Sequence, residues 1–275
     1  MAERTFVRWD THQRLQHLLL IVSVTLLVLT GFPLKYPQAR TSQVVMHLVG
    51  GVQTAGRVHR AAAVLLMVGA LYHLLYLGGA YRRHGFSTAM WPQLQDFRDL
   101  LQMLRYFVGL SPHPPRFGRY SYIEKFEYWA MVWGTGIMVA TGLMLWFPVG
   151  ATRVFSVLIL HLAQVIHSYE ALLAALSLIL WHFYHAHLNP DVFPMSKVWL
   201  TGRITEKEMR HHHPLEYERI LAQEQRTDEE DSGAGDIGRV GADGLVRPAA
   251  HGREGGADAG GETPSNPDEP SSPAV

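Results

Sequence analysis

Long apolar runs separated by short polar and basic stretches dominate the chain before His187. A helix that crosses a bilayer needs about 20 mostly apolar residues at a rise of 1.5 Å each. Residues 15–34, 58–80 and 126–147 each meet that length. A fourth apolar region, 154–188, would reach roughly 50 Å as one helix, longer than the hydrocarbon core is thick. Its first part is therefore expected at or beyond the membrane surface, with the span itself at 166–187. Between the second and third spans, "WPQLQDFRDLLQMLRYFVGL" places Leu94, Phe97, Leu100, Leu101 and Leu104 at helical spacing among charged residues. That pattern predicts an interfacial amphipathic helix, not a fifth span. From Thr227 onward almost no large apolar residue occurs, so the chain there cannot offset its ordering entropy. The fold class is thus all-α: an integral-membrane four-helix bundle within residues 1–222, with a disordered tail over 223–275.

Basic residues near the span ends set the orientation. Arg4, Arg8 and Arg14 precede the first span; Arg82, Arg83, Arg98, Arg105, Arg116, Arg119 and Lys125 fill the connection between the second and third; Lys197, Arg203, Lys207 and Arg210 follow the fourth. The other two connections carry fewer, so both termini are expected in the cytoplasm. The first span has no small-residue cleavage site behind it and is expected to stay in the mature protein. Trp9, Tyr76, Trp91, Tyr128, Trp129 and Trp146 fit aromatic belts at the two interfaces.

The 275 residues balance 24 Lys and Arg against 24 Asp and Glu, which gives no reason to expect nucleic-acid binding. Without a single cysteine the chain has no disulfides, no thiolate-held iron–sulfur cluster and no covalent haem attachment. Any metal centre must rest on nitrogen or oxygen ligands, and the chain holds 16 histidines.

Several of these histidines fall inside the apolar runs. His59 and His73 lie fourteen residues apart, a rise of about 21 Å and close to a whole number of turns, so they share one face of the second span at two depths. His167 and His182 repeat the arrangement on the fourth span, fifteen residues apart. An unpaired imidazole in hydrocarbon is costly and by default marks a functional site. Paired across two spans, such residues would clamp two stacked porphyrins, and Ala61, Ala62, Ala63, Gly69, Ala70, Ala171, Ala174 and Ala175 would leave room for flat rings. The Thr30–Gly31 and Thr141–Gly142 pairs read as helix packing. "HHHP" at His211 to His213 does not read as a zinc site, because three adjacent imidazoles cannot converge on one ion unaided.

The motifs resemble a known family. "RWDTHQRLQH" and "LTGFP" flank the first span, "GRVH" opens the second, "GRYSYIEKFEYW" and "TGLMLW" bound the third, "WHFYHAHL" ends the fourth, and "GRITEKEMRHHHPLEYERI" follows. Together they resemble the cytochrome b (gamma) membrane subunit of respiratory formate dehydrogenase, within the bacterial cytochrome b561 and nickel-hydrogenase group. The resemblance implies a four-helix bundle in the bacterial inner membrane with two b-type haems, carrying electrons between an outer-face iron–sulfur or multihaem cytochrome subunit and membrane quinone. It implies axial pairs of His59 with His167 and of His17 with His182. Pairing of His73 with His182, a part for His185, and a third haem stay open. For the quinone site it implies the loop at Ser121 and Glu124, with Glu124 or His185 relaying a proton; Arg57 and Arg60, with Arg14, are expected to pair with haem propionates or to be plain interfacial charge. A stand-alone cytochrome b561-type oxidoreductase is the alternative reading; a haem-free anchor or transporter would leave the membrane histidines unexplained.

Overall fold

The computed structural model describes residues 3–240 except 86 and 191. Strand β1 (Thr5–Val7) leads into helices α1 (Thr11–Lys35), α2 (Arg40–Val49), α3 (Val52–His84), α4 (Leu94–Phe107), α5 (Tyr122–Trp146), α6 (Pro148–Ala151) and α7, which runs as α-helix over Val157–Leu176 and continues as π-helix at Ser177–His182 and Tyr184–Leu188. Helix α8 (Val198–Thr201), strand β2 (Arg203–Thr205), α9 (Glu206–His212) and α10 (Pro214–Val240) complete the chain. Helices α1, α3, α5 and α7 are each long and apolar enough to cross a membrane. All four expected spans are present, each longer than its apolar core, because caps outside the apolar run set the ends. Asp10 caps α1 and Ser121 caps α5, both by reciprocal capping boxes.

The fourth span is one helix from Val157, without a break before residue 166. At about 48 Å it exceeds the hydrocarbon thickness, as its apolar length implied. Its last two turns hold π-type bonds, which place more residues in each turn than an α-helix does. Helix α2 was not expected from the apolar pattern: ten residues with apolar positions on one face only, ending at Gly50 in the left-handed region. Helix α10 continues past residue 222 through a stretch rich in Gln, Glu and Arg, straight-chain residues that lose little rotamer freedom in a helix. The rest of the expected disordered segment, 241–275, lies outside the described residues.

Helix α1 packs chiefly on α3, and α5 on α7. The residues between them are small or hydroxylic: Ser23, Thr30, Ala62, Thr141, Ala163 and Ala175 are buried, whereas Leu18, Val68, Leu74, Trp133, Leu158 and Leu180 face outward. Such an inside-out arrangement suits lipid, where close backbone approach and not apolar burial holds helices together. The buried hydroxyls are satisfied by their own helix; Ser23 Oγ donates to the Leu19 carbonyl at 2.8 Å. Helix α4 exposes Leu94, Phe97, Leu104 and Phe107, as its amphipathic pattern predicts, and is tied to α5 by Lys125, whose Nζ donates to both oxygens of Asp96 at 2.8 and 3.0 Å.

Candidate functional site

Two pairs of imidazoles face each other inside the bundle. Toward the end where α1 finishes and α3 begins, the rings of His59 and His167 stand 6.5 Å apart between centroids at 70°. Toward the other end, His17 and His182 stand 6.4 Å apart at 60°. Two imidazoles that bind one metal ion from opposite sides stand roughly 6 Å apart, given about 2 Å for each metal–nitrogen bond and about 1 Å from nitrogen to ring centre. Both pairs have that separation. Among the described residues no group of three or more His, Asp or Glu side chains converges on a point. The two-imidazole clamps therefore suit an ion whose other ligands come from a macrocycle.

The His59–His167 pair is held symmetrically. Thr30 Oγ1 lies 3.0 Å from His59 Nδ1, and Thr141 Oγ1 lies 2.9 Å from His167 Nδ1. The glycine after each threonine sits against the ring it serves: a methyl group built at Gly31 would stand 3.1 Å from His59 Cε1, and one at Gly142 would stand 3.3 Å from His167 Cε1. Arg60 is exposed on the next position of α3 with its guanidinium 5.9 Å from the Trp146 ring; Arg57 is exposed one turn away.

The second pair is built differently. His182 Nδ1 lies 3.0 Å from Glu127 Oε2, and buried His17 Nδ1 has no hydrogen-bond partner among the described residues. Trp9 and Trp199 flank His17 at 5.1 and 6.2 Å between centroids. The fifteen-residue separation of His167 and His182 brings His182 to the same side as His167 through the π-helical turns, which absorb the extra residue.

His73 is not brought to His182. Its Nδ1 lies 2.8 Å from Gln16 Oε1 and its Nε2 3.0 Å from the Tyr128 hydroxyl, so both ring nitrogens are engaged. His185 turns back on its own helix, with Nδ1 2.8 Å from the Trp181 carbonyl. Ser121 and Glu124 are engaged in the cap of α5: the Ser121 hydroxyl and amide both donate to Glu124 Oε2, at 3.0 and 2.8 Å. The remaining Glu124 oxygen accepts from Arg8 at 3.2 Å. The S-x-x-E spacing at 121–124 is a sequence signal for that cap.

Arg8 belongs to a small closure at this end of the bundle. β1 pairs antiparallel with β2, Thr5 opposite Thr205, and Arg8 also donates to the Arg119 carbonyl. Buried His213, in the segment after β2, has its Nδ1 2.9 Å from the Gly118 carbonyl. Burial, and then the Arg8 guanidinium, hold His213 below the ordinary histidine value; Glu124 and the Gly118 carbonyl pull the other way. With the folded value lower than the unfolded one, the unfolded chain takes up the proton first as pH drops. Stability of the closure should thus be unaffected above about pH 6.5 and fall progressively below it. Hydrogen exchange of the β1 and β2 amides, corrected for intrinsic rate, is expected to show weaker protection at pH 5.5 than at 7.5, and His213→Asn to flatten the difference. Equal protection at both pH values would contradict this.

A family model described as prokaryotic cytochrome b561 matches residues 8–194. Among curated proteins, the formate dehydrogenase cytochrome b556(fdo) subunit of Escherichia coli K12 is 23% identical over 217 residues, 78% of this chain and 93% of that protein. The nitrate-inducible formate dehydrogenase cytochrome b556(Fdn) subunit of the same strain is 21% identical over 230 residues, 83% and 97% respectively.

Proposed function

The chain belongs to the prokaryotic cytochrome b561 family, and from that premise we propose that it is a dihaem membrane subunit passing electrons between a formate dehydrogenase-like partner on the outer face and the quinone pool. Its four long apolar helices make it a multi-pass membrane protein, and the family makes it a cytochrome b. The observation that carries the finer reading is the pair of imidazole clamps at two levels: fifteen residues of helix between His167 and His182 separate them by on the order of 20 Å. The residues fit the cofactor. Both clamps have the separation that two imidazoles would need to hold one iron between them, and small or hydroxylic side chains line the bundle between the helices.

Bound b-type haem supplies one-electron transfer at each level. His59 and His167 would hold the outer haem, and His17 and His182 the inner one. Trp9 and Trp199 shield His17 from water at the inner level. Arg60, and Arg57 one turn earlier, would meet the carboxylates of the outer group. We place quinone exchange beside the inner pair, at Gln16, His73 and Tyr128. Gln16 adjoins His17 in the chain and Tyr128 adjoins Glu127, which holds His182. Gln16 Nε2, a buried donor with no hydrogen-bond partner among the described residues, is the group that would meet a quinone oxygen there. Positive-inside bias puts this end, with both termini, in the cytoplasm.

Purification in mild detergent with haem quantified per chain tests the reading. Two b-type haems per chain in the reduced-minus-oxidised spectrum, with a co-purifying iron–sulfur or multihaem partner, are expected. A colourless preparation would overturn it. Two haems without any partner would favour the stand-alone oxidoreductase.

A further inference from the structure

Thr30–Gly31 near the end of α1 and Thr141–Gly142 near the end of α5 stand in one and the same relation to a histidine on the neighbouring helix. A threonine hydroxyl has one proton to give. Thr30 Oγ1 lies 2.6 Å from the Leu26 carbonyl, and Thr141 Oγ1 lies 2.7 Å from the Ile137 carbonyl. A carbonyl oxygen can only accept, so each hydroxyl proton is committed to its own helix. Toward the histidine, at 3.0 and 2.9 Å, each hydroxyl therefore presents a lone pair. His59 and His167 must then carry their proton on Nδ1 and donate it, which leaves Nε2 bare on both rings. The following glycine lets the ring lie against the helix, since a methyl group at Gly31 or Gly142 would press on the ring carbon Cε1.

Resting on the dihaem reading above, we propose that each Thr–Gly pair is a positioning device: it selects the tautomer and seat of one outer-haem ligand, and its hydroxyl lowers the reduction potential of that haem alone. An acceptor on the ligand's distal N–H raises the basicity of the ring, which favours the oxidised iron. The inner level lacks the device. There His182 faces the Glu127 carboxylate and His17 Nδ1 has no hydrogen-bond partner among the described residues, so the two levels can be tuned by separate residues.

The test is a potentiometric titration of the purified full-length protein that follows the two haems separately, in Thr30→Val, Thr141→Val, the double variant, and Thr30→Ser and Thr141→Ser. Each valine is expected to shift the outer midpoint upward, the double variant further, with the inner midpoint unmoved and both serines returning the wild-type value. An outer midpoint unchanged in the double variant at full haem content would overturn the proposal. If valine expels the outer haem, the serine variants decide: retention at the wild-type midpoint supports the hydroxyl's role, and loss shows that only the methyl group mattered and overturns it. Failure of the dihaem reading is seen separately, as fewer than two haems in the unsubstituted protein.

Discussion

Alanine in place of His59 or His167 is expected to halve the haem content, from two per chain to one, and to leave the spectrum and midpoint of the inner haem unchanged. Each substitution removes one side of a clamp whose span is set by the opposing ring at 6.5 Å. The surviving imidazole keeps its threonine partner but holds the iron from one side only. Loss of groups that merely orient a metal ligand costs on the order of 10- to 100-fold in affinity, so loss of the ligand itself should lower outer-site occupancy by at least that factor. The helices should stay assembled, because the α1–α3 and α5–α7 packing also rests on buried residues away from these rings, among them Ser23, Leu66 and Ala175. Full haem content in the His59→Ala/His167→Ala double variant, measured with circular dichroism unchanged, would remove the basis of the outer site.

Gly202→Ala should be nearly as severe, at the opposite level. Gly202 has φ +74, where a side chain costs about 1–2 kcal/mol, and a methyl group there would stand 2.4 Å from the Trp9 carbonyl oxygen. Its own carbonyl accepts from the amides of Arg8 at 2.8 Å and Trp9 at 3.1 Å. Relief of the clash must therefore break the first contacts of the β1–β2 pairing and withdraw Trp9 from His17. We expect selective loss or broadening of the inner-haem signal, together with rapid proteolytic release of the N-terminal segment, while the outer haem is retained. An intact inner signal in a protease-resistant Gly202→Ala protein would show that the closure does not shape the inner site.

Hydropathy made the four spans legible because bilayer thickness demands long apolar runs, and the amphipathic helix was legible from its one-sided pattern. His59 with His167 was legible too, from depth, spacing and resemblance. The rest needed three dimensions. The Thr30 and Thr141 hydroxyls look like ordinary packing residues in a sequence; only the approach of a histidine from another helix gives them a partner. His73 and His182 share a level by count, yet Gln16 and Tyr128 occupy both nitrogens of His73, which periodicity along one helix cannot reveal. Glu127 lay one turn from residues already singled out, without a motif to mark it. The "GRITEKEMRHHHP" segment enters the sequence reading only as a motif of the resemblance; in the structure it supplies β2, the Thr205–Glu208 cap and His213, which bind the chain's own N-terminus and the loop before α5. Three-residue strands drawn from opposite ends of the sequence leave no periodic trace.

That pairing of Thr5 with Thr205 has a consequence for assembly in time. The partner strand follows all four spans in the chain and emerges from the ribosome after them, so Trp9 and Trp199 cannot converge before the fourth span has been made. His59 and His167 can face each other once the fourth span is made, whereas the tryptophan walls beside His17 close only after the strand that follows that span.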